Sequence, residues 1–183
     1  GARLAIAARR CQSPPMQANT PSPLRLRANG PLSGRIAVPG DKSISHRALM
    51  LSALAVGESR VEGLLESEDV RATAAALRAM GADIERLGPG SWRIHGVGVG
   101  GLLQPRTALE MGNSGTSTRL LMGLAATHPI STFFTGDESL SDRPMGRVIE
   151  PLSRMGAEFE ASPGGRLPLL VSAVIAILLG AVS

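Results

Sequence analysis

With 183 residues, 43% of them hydrophobic, and a mean hydropathy of +0.12, the chain carries enough apolar side chains for a globular core of one or two domains. Aromatic residues are only 2%, too few for a surface that stacks single-stranded bases, and the net charge of +4 is local: residues 1–40 hold six arginines and no acid, which leaves residues 41–183 at −2. A nucleic-acid partner therefore loses its electrostatic support, and the sole cysteine, Cys11, excludes an intrachain disulfide and a cysteine-rich zinc site and suits a reducing cytoplasm.

Residues 1–30 are rich in Arg and Ala, lack acids and include Pro14, Pro15, Pro21 and Pro23. They read as a disordered basic leader rather than a transit-type sequence, which is richer in serine. From residue 31 the pattern becomes regular. A short strand is predicted at Ile36–Val38, followed by a helix whose Ile44, Ala48, Leu51 and Ala55 share a face, with Gly57 ending it. A strand over Arg60–Leu64 precedes Ser67-Glu68-Asp69, an acidic first turn for a helix in which Val70, Ala74 and Leu77 line one side and Gly81 closes the end. Two strands, Asp83–Leu87 and Ser91–His95, are joined through Gly88-Pro89-Gly90, and Trp92 packs that hairpin.

The order β-α-β-α-β-β is then repeated from about Leu109 to Val171. Gly40-Asp41-Lys42-Ser43-Ile44-Ser45-His46-Arg47 aligns with Gly112-Asn113-Ser114-Gly115-Thr116-Ser117-Thr118-Arg119, and Leu77-Arg78-Ala79-Met80-Gly81-Ala82 with Leu152-Ser153-Arg154-Met155-Gly156-Ala157. Two matches at nearly one spacing indicate a duplicated supersecondary unit. In the second copy, Asp142-Arg143-Pro144 is expected to start a helix, with Asp142 as its cap and Met145, Val148, Leu152 and Met155 along one face. Pro151 lacks an N–H and is expected to kink or break that helix.

The first copy holds the only lysine, Lys42, among 18 arginines. Lysine presents a compact ammonium where arginine presents a planar fork, so its use at one position singles that position out. Beside it, Gly40 permits close backbone approach to a ligand, Ser43 is placed to cap the helix, and Arg47 lies one turn further along the same face. Helix-terminal N–H groups with two cations make an anion cradle. A P-loop does not fit, because Ile36 and Asp41 occupy the positions of its glycines.

Three segments, Pro39-Gly40-Asp41-Lys42-Ser43-Ile44-Ser45-His46-Arg47, Gly112-Asn113-Ser114-Gly115-Thr116-Ser117-Thr118-Arg119 and Asp142-Arg143-Pro144-Met145-Gly146, resemble the 5-enolpyruvylshikimate-3-phosphate synthase family in both order and spacing. The resemblance runs from about Leu32 to Leu169. It implies an α/β fold of repeated β-α-β-α-β-β units, the inside-out α/β barrel of the enolpyruvyl transferases, spread over two domains with the active site between them. It also implies transfer of the enolpyruvyl group of phosphoenolpyruvate to the 5-hydroxyl of shikimate 3-phosphate, without metal or organic cofactor, and with glyphosate as an inhibitor. On this resemblance Lys42 touches both substrates, Ser43 and Arg47 touch shikimate 3-phosphate, and Gly115 and Arg143 touch phosphoenolpyruvate. Arg119, at the repeat position of Arg47, stays outside the binding set, and His46, His95 and His128 read as packing or surface residues.

Family members are more than twice as long, and the groups that move protons belong to the part beyond this chain, so no catalytic acid or base is assigned. The expected organisation is a leader over 1–30, two repeat units over 31–170 and an apolar tail over 171–183 outside the family pattern. That tail ends the uncharged run Leu167–Ser183, short for a membrane span, which reads as a last strand running on into it. A monomer is expected if the chain folds. Two alternatives are a relative that uses a UDP-sugar acceptor, disfavoured because Ser43 follows Lys42 where that family has asparagine, and a non-catalytic anion-binding or interaction module acting through its apolar tail.

Overall fold

In the computed structural model, the placement of residues 31 and 33–173 is described. The expectations for residues 1–30 and 174–183 lie outside them. The elements run α1 (Lys42–Leu54), β1 (Val56–Val61), α2 (Glu68–Ala79), β2 (Asp83–Gly88), β3 (Ser91–Val97), β4 (Leu109–Glu110), α3 (Gly115–Ala126), β5 (Ser131–Thr135), α4 (Glu138–Ser141), α5 (Gly146–Arg154), β6 (Glu158–Ser162) and β7 (Arg166–Ser172).

The duplication is visible in the sheets. One has the order β1-β3-β2 and the other β4-β5-β7-β6, so β5-β7-β6 repeats β1-β3-β2. Equivalent strands begin 75 residues apart, Val56 with Ser131, Asp83 with Glu158 and Ser91 with Arg166. In both copies the last strand is central, pairing antiparallel with the other two, and each terminal hairpin has a register shift beside its turn, at Arg86/Gly88 and at Ala161/Ser162. Alternation buries Trp92 and Ile94 on β3 and Leu167, Leu169 and Val171 on β7. The helices pack onto these inner faces, and one apolar cluster collects Leu49, Leu77 and Ile94 from the first copy with Leu121, Met122 and Phe134 from the second.

Several local expectations are corrected. Residues 36–38 form no strand, although β4 in the second copy does pair, parallel to β5. On α1 the buried residues are Ser45, His46, Leu49, Met50 and Ala53, whereas Ile44 and Leu51 are each 69% exposed. The predicted face was the outer one, because two inward positions of the first turn hold hydrogen-bonded polar residues that a hydrophobicity pattern passes over. Helix α1 ends at Leu54 and Gly57 lies inside β1, which starts four residues before the predicted strand.

Asp142 does not cap a long helix. It ends the short helix α4, and α5 starts at Gly146 with no side-chain cap. Pro151 sits within α5, which runs on to Arg154, so the expected break is absent. The helix closes within a turn of the proline, and only one ladder bond, to the Arg147 carbonyl, lacks its donor. Met145 is buried and Val148, Ile149 and Leu152 are partly so, but Met155 is 56% exposed, off the predicted face. Ser67 proves to be the cap of α2, whose acidic first turn was expected, and Val70, Ala74 and Leu77 are buried as expected.

Candidate functional site at the helix N-termini

The first turns of α1, α2 and α3 meet. Asp41, not Ser43, caps α1, its Oδ1 accepting the Ile44 N–H at 2.7 Å. Ser43 is thereby left exposed in the first turn, with its hydroxyl free of the capping role. Gly40 serves a different close approach from the one expected. A Cβ there would stand 2.1 Å from the Gly63 carbonyl oxygen, so the glycine lets the chain entering α1 lie against the protein's own backbone.

Lys42 Nζ donates to Asp69 Oδ2 at 2.7 Å, tying the start of α1 to the start of α2, and the lysine side chain keeps 48% of its exposure. Arg47 Nη1 donates to the Ser43 carbonyl at 3.0 Å. The repeat partner does the same: Arg119 Nη1 donates to the Gly115 carbonyl at 3.1 Å, and its Nη2 reaches the Pro144 carbonyl at 3.3 Å. Each arginine therefore folds back over the first turn of its own helix.

Around α3 the chain presents a second cationic group. Arg143 Nη2 donates to Asn113 Oδ1 at 2.6 Å and to Ser139 Oγ at 3.2 Å, and Asn113 is oriented in turn by Asp137, which accepts from its Nδ2 at 3.0 Å. Gly115 is buried between guanidinium groups. A Cβ on it would lie 2.7 Å from Arg119 Nη1 and 3.3 Å from Arg143 Nη1. Burial, and then the charges of Arg147 and Arg143, push the pKa of Arg119 below its usual value. Among the described residues no carboxylate lies within ion-pair distance of Arg47, Arg119, Arg143 or Arg147. Like charges gathered without an acid, beside helix N–H groups, favour an anion between them.

The two groups are joined through α2: the Asp69 carboxylate holds Lys42, while its carbonyl accepts from Ser117 Oγ of α3 at 3.2 Å. Lys42 and Ser43 thus share the first turn of α1 with Arg47 folded back from the next, Gly115 and Arg143 lie side by side, and Asp69 and Ser117 link the sets. Sequence reasoning missed Asp69, Asn113 and the positional role of Ser117. Asn113 and Ser117 stand inside a quoted motif, but Asp69 resembled an ordinary first-turn acid. A cavity of about 340 Å³ elsewhere, lined by Gln104, Ile130, Ser131, Glu158 and Ser172, includes a carboxylate and no cation, which suits an anion poorly.

Known proteins sharpen the assignment. The family model described as EPSP synthase (3-phosphoshikimate 1-carboxyvinyltransferase) matches residues 26–182. The chain belongs to the EPSP synthase family. Its matched span reaches into residues 171–183, where departure from the family was expected. The 3-phosphoshikimate 1-carboxyvinyltransferase of Novosphingobium aromaticivorans is 74% identical over 152 residues, covering 83% of this chain and 34% of the relative. That of Sphingopyxis alaskensis is 71% identical over 160 residues, covering 85% and 36%. The solved EPSP synthase of Acinetobacter baumannii superposes with a TM-score of 0.74 at 48% identity, over 76% of this chain and 32% of that one. The chain therefore spans about a third of the length of the curated relatives it matches, and the fold is that of EPSP synthase. No helix among the described residues is long and apolar enough to cross a membrane.

Proposed function

We propose that this chain supplies the cationic, N-terminal share of an EPSP synthase active site. In the complete enzyme it would help move the enolpyruvyl group from phosphoenolpyruvate to the 5-hydroxyl of shikimate 3-phosphate in the cytoplasm. The observation that carries the reading is the meeting of Lys42, Arg47, Gly115 and Arg143 at linked helix N-termini, with no acid paired to the arginines among the described residues. Lys42 faces both substrates, Ser43 and Arg47 hold shikimate 3-phosphate, and Gly115 with Arg143 receives phosphoenolpyruvate or its mimic glyphosate. Fixed cations stabilise charge where it develops on the reacting groups, and their prior positioning lowers the cost of bringing two anions together. The proton-moving groups are assigned to the remaining length of the relatives, and the 183 residues here to the binding of the anions.

Calorimetric titration of the 183-residue chain with shikimate 3-phosphate tests this. A charge-assisted hydrogen bond contributes about 1.5–3 kcal/mol net, so Lys42→Ala and Arg47→Ala are each expected to weaken binding about ten- to a hundredfold. Absence of binding, or binding indifferent to both substitutions, overturns the reading.

A further inference from the structure

The cations belong to different repeats, Lys42 and Arg47 on α1 and Arg143 held by Asn113 at the start of α3, so whether they face one anion depends on what fixes α1, α2 and α3 at their first turns. His46 of α1 is fully buried, with Nδ1 2.8 Å from Thr73 Oγ1 of α2 and 3.3 Å from Ser117 Oγ of α3. Thr73 Oγ1 lies 2.7 Å from Ser117 Oγ, which lies 2.5 Å from Ser114 Oγ, the cap of α3 beside Gly115. Ser117 Oγ also reaches the carbonyl of Asp69, whose carboxylate holds Lys42.

The protons can be placed. His46 Nε2 is buried and has no partner among the described residues, so a hydrogen there would be an orphaned donor, whereas a bare lone pair costs less. Nδ1 therefore carries the proton and donates to Thr73, Thr73 donates to Ser117, and Ser117 donates to the Asp69 carbonyl. Ser114 donates to Ser117 and accepts the Ser117 N–H. Every hydroxyl is used once as a donor. Burial lowers the pKa of the ring, against the pull of Asp69 and with a smaller push from Lys42 and Arg47 in the same direction.

We infer that His46, Thr73 and Ser117 are positioning residues: a buried relay, reading from ring N–H to hydroxyl to hydroxyl, locks the first turns of α1, α2 and α3 together and so sets the distance between the two cationic groups. Its bearing on binding rests on the function proposed above, but the lock itself is a property of the fold and is measured separately.

The test uses the 183-residue chain with Ser117→Ala, Thr73→Val, His46→Leu and His46→Asn; the asparagine amide keeps a donor near the Nδ1 position. Native-state hydrogen exchange is followed at the α1 amides of Ser45, His46 and Arg47, with the β3 amide of Ile94 reporting global opening. Relative to Ile94, the first three variants should speed exchange in α1 about tenfold, and His46→Asn should restore most of the protection. Faster exchange in α1 caused by an oxygen removed from α3 is not expected of a merely local cap. Unchanged α1 exchange in Ser117→Ala overturns the lock, as does an asparagine variant no better than leucine. If Thr73→Val fails to fold, Ser117→Ala, the loss of one oxygen, decides alone.

A second measurement reaches binding: Ser117→Ala should lower shikimate 3-phosphate affinity about tenfold, and the effect should shrink in a Lys42→Ala background, where the held cation is gone. A wild-type chain that does not bind the ligand, yet shows the exchange pattern, counts against the proposed function and for the lock.

Discussion

At Gly115 a single hydrogen separates two guanidinium groups from a steric conflict. The Cβ of an alanine would meet Arg119 Nη1 at 2.7 Å and Arg143 Nη1 at 3.3 Å, both the far ends of flexible side chains. Gly115→Ala should therefore fold with little loss of stability while pushing the arginines aside. On the proposed assignment, phosphoenolpyruvate affinity falls about tenfold, the scale of one weakened charge-assisted contact, and shikimate 3-phosphate affinity changes much less. Parallel titrations with the two ligands check this, and equal losses for both would contradict it. Glu66 gathers three donors on one oxygen: its Oε1 accepts from Arg86 Nε at 2.7 Å, the Gly90 N–H at 3.0 Å and Trp92 Nε1 at 3.2 Å. These bonds, that from Arg86 first, lower its pKa from 4.5 to about 2. A carboxylate held lower in the folded than in the unfolded chain stabilises the fold above the unfolded value, and that contribution is lost as pH falls from about 4.5 toward 2. Thermal melts across this window should be steeper in pH for the wild type than for Glu66→Gln, and coincident slopes would refute the linkage.

Among the elements, α2, β2 and β3 follow the sequence closely. Their signals are local: an acidic first turn, a 3.6-residue apolar stripe, a Pro-Gly turn between alternating strands. The duplication was legible for the same reason, since identical turn and motif residues recur at a nearly fixed spacing. Helix α1 was misread where its first turn gives inward positions to Ser45 and His46. Ser45 Oγ accepts the Leu65 N–H at 2.9 Å and donates to the Asp41 carbonyl at 2.7 Å, a satisfied arrangement that depends on residues 20 positions away. The helix expected from Asp142 starts only at Gly146, because Asp142 closes the short helix α4 that Asp137 caps, accepting the Leu140 N–H at 2.8 Å. Of the site, the motif positions Lys42, Ser43, Arg47, Gly115 and Arg143 were nameable in advance, but not what touches them. Asp69 meets Lys42 across 27 residues, and Asn113 meets Arg143 across 30, contacts that arise only once separate helices are packed.

For the molecule as a whole, the two repeats share one apolar interior. Leu121 and Met122 of α3 are fully buried in the same cluster as Leu49 of α1 and Leu77 of α2. Leu121→Ala should destabilise the fold by about 2–5 kcal/mol, the range for emptying a leucine-sized volume from a packed core. Denaturant titration measures that loss, and a change under 1 kcal/mol would argue that the repeats are packed loosely. Because the arginines at 47 and 143 belong to different copies that share this interior, on the proposed assignment the packing of the two copies also sets the spacing of the cations. On that assignment, selection for grip on a small metabolite and selection for a solid interior would fall on the same side chains.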